Sequence, residues 1–114
     1  MENTSGSEPM EDQYRIAFDE IPWTESGLGA RSKVRRLGDR QLRLVEFGRD
    51  LVHPDWCITG HLGYVLEGEM EVEIDGGSLI FHAGDGIHFP PGEADRHRPI
   101  ARSEIVRLVF VEDI

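Results

Sequence analysis

Glu69-Met70-Glu71-Val72-Glu73-Ile74-Asp75-Gly76-Gly77-Ser78-Leu79-Ile80-Phe81-His82 carries the clearest secondary-structure signal in the chain. Met70, Val72 and Ile74 alternate with Glu71 and Glu73, so residues 69–75 form a strand with one face in a core and the other in water. Gly76-Gly77 is the two-residue signal of a hairpin, which returns the chain through residues 78–82. Further short β-rich runs follow the same logic at residues 42–47, 61–66, 87–89 and 105–111, each bounded by Gly, Pro or Asp. No stretch sustains a 3.6-residue apolar period. Strands at this spacing predict an all-β sandwich or barrel.

The 114 residues make one domain by length. Twelve Lys and Arg stand against 22 Asp and Glu, a net charge of -10. That charge repels polyanions, so neither nucleic acid nor an anionic membrane is expected as a partner. No apolar run approaches the roughly 18 residues of a spanning helix. Residues 1–13 lack the apolar stretch of a signal peptide, and Glu2, Glu8, Glu11 and Asp12 face no basic residue, so a cytoplasmic location is expected. Residues 1–12 are too polar to offset the entropy of ordering and are expected to form a disordered acidic tail ahead of a domain at 13–114. The single cysteine, Cys57, cannot close an internal disulfide, which makes it either buried filler or a working thiolate. Arg31, Lys33, Arg35, Arg36, Arg40 and Arg43 gather six of the twelve basic residues. They read as the solvated outer face of two strands, with a basic patch for an anionic ligand as the alternative.

Two motifs lie between residues 53 and 99. The first runs Asp55-Trp-Cys57-Ile-Thr-Gly-His61-Leu-Gly-Tyr-Val-Leu-Glu-Gly68, and the second Gly84-Asp-Gly-Ile-His-Phe-Pro90-Pro-Gly92-Glu-Ala-Asp95. Pro90-Pro91-Gly92 cannot sit in a central ladder and is expected to form a rim loop. Together these stretches resemble the paired motifs of the cupin superfamily, G-x5-H-x-H-x(3,4)-E-x6-G and G-x5-P-x-G-x2-H-x3-N. The resemblance implies a single small cupin β-barrel, the double-stranded β-helix or jelly roll, and the fifteen residues between Gly68 and Gly84 suit a compact bacterial-type member. The departures are specific: Arg49 replaces the leading Gly, and Pro99 stands at the Asn position.

Members of that superfamily hold a metal with three His and one Glu. Carried over position by position, the first-motif histidines fall on Asp55 and Cys57, the Glu on His61, and the second-motif His on Asp95. Strand parity adds His97, two residues beyond Asp95. Cys57, His61, His97, Asp55 and Asp95 are therefore the candidate ligands for a divalent transition metal: zinc, iron, nickel or manganese. Against this stands a plain structural role, with Cys57 a small buried hydrophobe, Asp55 a turn residue after Pro54, and His61 hydrogen-bonded in an apolar barrel. His53 is expected on an exposed extended segment, and His82 and His88 flank the turn at Gly84-Asp85-Gly86 without a clear facing. Two functions remain open: a metalloenzyme acting on a small polar molecule, or a non-catalytic small-ligand sensor acting as a dimer. A homodimer is expected because residues 14–18 and 105–111 offer unpaired strand edges.

Overall fold

The computed structural model of the chain describes residues 14–51 and 55–114. The proposed tail at 1–12 and His53 lie outside the described residues. Among these described residues there are nine strands: β1 (Thr24–Gly27), β2 (Ala30–Leu37), β3 (Arg40–Gly48), β4 (His61–Glu67), β5 (Glu69–Ile74), β6 (Gly77–His82), β7 (Gly86–Phe89), β8 (Arg98–Ala101) and β9 (Ile105–Asp113). They form two antiparallel sheets, one of six strands in the order β1-β2-β3-β9-β4-β7 and one of three in the order β6-β5-β8. Among the described residues no helix is long and apolar enough to cross a membrane.

The alternation in residues 69–75 has the expected consequence. Met70 and Val72 are buried and face the other sheet, while Glu71 and Glu73 turn outward and bond Ser78 and Arg98. Across the gap, Val45 of β3, Val65 of β4, Ile87 of β7 and Val106, Leu108 and Phe110 of β9 complete the core. Gly76, with φ of 89°, makes the hairpin turn in a conformation that L side chains resist.

β9 organises the larger sheet. Its inward residues recur with period two, Val106, Leu108, Phe110 and Glu112, and it is paired on both sides, with β3 and with β4. That corrects the edge argument for a homodimer: residues 105–111 form an inner strand with no free edge, and residues 14–18 form no strand.

The basic run at 31–43 also divides. Arg31 and Lys33 face outward, where the Trp23 ring lies under both cations at 4.3 and 4.8 Å, and Arg31 joins Arg107 in gripping the Glu46 carboxylate. Arg43 turns inward, because its register partner is the buried Phe110.

Gly63 on β4 opens the space in which Phe110 lies. A Cβ at that position would overlap the Val109 carbonyl oxygen and sit 2.6 Å from Phe110 Cδ1. Neither a backbone group in an inner strand nor a buried ring can give way cheaply. Gly63→Ala is therefore expected to cost about 1–3 kcal/mol of stability, read as a lowered midpoint in chemical denaturation; an unchanged midpoint would contradict this packing.

Candidate metal centre

Cys57 and His97 are held opposite one another by their own backbones. Cys57 N–H donates to the His97 carbonyl at 2.8 Å and His97 N–H donates to the Cys57 carbonyl at 3.0 Å, an isolated antiparallel bridge. A pair that exchanges both bonds sets its two Cα atoms roughly 5.5 Å apart. His61 enters from a third direction, on the inward face of β4 at its first residue. Aromatic rings back both imidazoles: Phe110 stacks on His61 at 4.6 Å and Phe89 on His97 at 4.3 Å.

The neighbours of each ring decide which nitrogen carries a proton. Nδ1 of His97 is 3.0 Å from the Asp95 carbonyl oxygen, which can only accept, so Nδ1 is the donor and Nε2 keeps its lone pair. That Nε2 is buried with no hydrogen-bond partner among the described residues. Nδ1 of His61 lies 2.5 Å from a Glu112 carboxylate oxygen, again an acceptor, which directs Nε2 toward Cys57 Sγ at 3.6 Å. One sulfur and two ring nitrogens thus converge, all within 4.8 Å of one another.

Glu112 is only 4% exposed, and its partners come from both flanking strands. Arg43 grips it as a fork, Nε to Oε1 at 2.9 Å and Nη2 to Oε2 at 2.7 Å, and Gln41 Nε2 adds a third bond at 2.8 Å. Burial alone would push this carboxyl upward, but hydrogen bonds from His61, Arg43 and Gln41 outweigh it and hold the group far below the usual carboxylate range. Burial likewise works to lower His61, and contact with Cys57 and then Glu112 reverses this and raises it. The Cys57 thiol is drawn down to about 5, chiefly by His61 and next by His97, against the opposing effect of burial. The two shifts run in the directions that favour a thiolate on Cys57 and a proton on His61.

The remaining candidates divide. Asp55 is exposed and lines the same cavity, outside the three converging groups. Asp95 corrects the parity argument. Residues Glu93–Asp95 form a 3-10 turn, not a strand, so Asp95 is exposed and offers His97 its backbone carbonyl rather than a carboxylate to the site. His82 and His88 are both exposed. Glu112 and Arg43 were missed as site residues, although the inward parity of Val106, Leu108 and Phe110 already placed Glu112 on the buried face.

The cavity beside the cluster has a volume of about 680 Å³ and lies between the two sheets. Phe47, Met70, Val72 and Ile87 contribute to its wall, and the hairpin residues Ser26, Gly27 and Leu28 border it.

Glu112 supplies stability through its depressed titration. The contribution is fully present above the pH where a free glutamate titrates, about 4.3, and is lost as pH falls through the lower folded value. Glu112→Gln leaves Arg43 without its buried counter-charge and is expected to cost on the order of 3 kcal/mol near pH 7. It should also flatten the decline in stability below pH 4. Urea unfolding across pH 2–7 checks both, and a variant that keeps the parent's stability and acid profile would contradict the assignment.

A comparison with curated protein sequences returned no match. Among solved structures, KdgF from Halomonas sp. is similar with a TM-score of 0.71 at 23% identity, covering 83% of this chain and 89% of that one. An RmlC-like cupin from Shewanella frigidimarina superposes with a TM-score of 0.69 at 19% identity, over 87% and 90% of the two chains. A sugar phosphate isomerase of the cupin superfamily from Silicibacter pomeroyi gives 0.68 at 19% identity, over 88% and 75%. Likeness at these identities is likeness of fold. The sequence profile of the cupin domain matches residues 34–112, which takes in eight of the nine strands in whole or part and all three converging side chains. The chain belongs to the cupin family.

Proposed function

We propose that Cys57, His61 and His97 hold a divalent transition metal and that the protein binds a small molecule at that ion within the adjoining cavity. The observation that carries this reading is the buried Nε2 of His97, which among the described residues has no hydrogen-bond partner at bonding geometry and converges with Cys57 Sγ and a His61 ring nitrogen within 4.8 Å. A buried polar atom left unpaired is costly, and a metal would satisfy it. The surroundings support the same reading. Metal-bound histidines characteristically donate their second nitrogen to a carboxylate or a backbone carbonyl, and here His61 has Glu112 and His97 has the Asp95 carbonyl.

A thiolate with two imidazoles suits zinc or another late first-row ion and leaves a position for a ligand from the cavity. Bound there, such an ion would supply a Lewis acid that polarises an oxygen of the bound molecule. The residues supply the rest. Glu112 fixes the His61 ring, the Cys57–His97 bridge fixes the other two donors, and Phe89 and Phe110 exclude water from the far side of both rings. A sugar phosphate, as in the name of one structural neighbour, would find few polar partners on a wall built from Phe47, Met70, Val72 and Ile87.

Protein purified without a histidine tag and without added metal is expected to contain close to one transition-metal ion per chain by elemental analysis. Cys57→Ser and His97→Ala should each lower that content severely while the fold persists. Because metal must displace the His61 proton, affinity should fall as pH drops below the raised His61 titration, which lies above the ordinary value of about 6.5. Metal-free parent protein that also fails to take up added zinc would contradict the proposal.

A further inference from the structure

The cavity wall has a chemistry of its own, apart from the three donors. Among the described residues that line it, Arg43 is the one basic side chain and Asp55 the one acid, and Ser26 is the one hydroxyl. Ser26 and Asp55 are exposed, whereas Met70, Val72 and Ile87 are buried. A polyhydroxylated ligand would have to surrender water along that wall with nothing to replace it. An apolar body would not, and the volume of about 680 Å³ accommodates one of drug-like size.

Polar recognition concentrates around the converging donors and Arg43. Arg43 gives its Nε and Nη2 to Glu112, and Nη1 takes no part in that fork. The planar guanidinium is suited to a carboxylate, and a metal ion beside it would offer a second point of attachment. Charge sets the valence of the head group. With the exposed Asp55 left to solvent, a divalent ion and Arg43 together exceed the negative charges of a coordinating, half-buried Cys57 thiolate and the buried Glu112 by one unit, which a monoanion neutralises and a dianion overshoots.

We propose that the cavity takes a hydrophobic monocarboxylate, with its apolar tail along Phe47, Met70, Val72 and Ile87 and its carboxylate between the Cys57, His61 and His97 group and Arg43 Nη1. This rests on the metal-binding reading above. Recognition is then by one acid head and an apolar body, which separates this site from one built for sugars or phosphate esters.

Isothermal titration calorimetry on the full zinc-loaded chain tests this, with zinc content measured on the same samples. The probes are 3-phenylpropionate, 3-phenylpropanol with the same tail and no charge, and glucose 6-phosphate. Saturable binding of 3-phenylpropionate at least tenfold tighter than of either other probe is expected. Ala30→Leu, which fills part of the cavity wall, should weaken that binding at least tenfold with zinc content unchanged. Retained zinc with 3-phenylpropionate bound no tighter than glucose 6-phosphate would overturn this inference and leave the metal reading standing. A chain that takes up no zinc would overturn both.

Discussion

A carboxylate taken out of water needs several partners, or it destabilises the fold that buries it. Glu112 has three, and each comes from a different position on the inner face: Gln41 and Arg43 on β3, and His61 on β4. Because β9 lies between those strands, the carboxylate is the point at which the register of the larger sheet and the orientation of His61 are set together. Shifting β9 by one residue would turn Glu112 outward and replace it with Val111 or Asp113. His61 would then lose the acceptor that fixes its Nδ1 proton, and Nε2 would lose its direction.

The other two donors depend on a different device. Cys57 lies outside any named strand, and its position follows from two backbone hydrogen bonds to His97, just ahead of β8. The 3-10 turn at Glu93–Asp95 brings the Asp95 carbonyl within hydrogen-bond reach of His97 Nδ1, so one local turn both delivers the residue and selects its tautomer. Aromatic stacking by Phe89 and Phe110 then restricts both rings to the planes in which their free nitrogens meet. The two His rings themselves stand edge to face at 4.9 Å, close enough to share one ion.

Much of this architecture was legible in the amino-acid order. The alternation in residues 69–75 and the Gly76-Gly77 turn placed β5 and β6. The seven-residue offset between His61 and Gly68, with Cys57 four residues earlier, marked two of the three converging residues. His97 was named for a reason the structure overturns: parity with Asp95 fails because the chain turns there, and His97 faces the cavity through its pairing with Cys57, forty residues away in sequence. That pairing leaves no local signal. Arg43 was assigned to a solvated face because its basic neighbours dominated the reading of residues 31–43. The better signal was its parity with Val45 and Phe47, which turn inward. Glu112 was missed at the end of an alternating run whose last inward position happened to be charged.

The account turns on a sulfur and two ring nitrogens meeting at one ion. X-ray absorption at the zinc K-edge, on the full chain loaded with one equivalent of zinc, reads that donor set. It should show one sulfur at about 2.3 Å and nitrogen or oxygen neighbours at about 2.0–2.1 Å that include two imidazoles. A spectrum with no sulfur neighbour, or with no imidazole contribution, would contradict it.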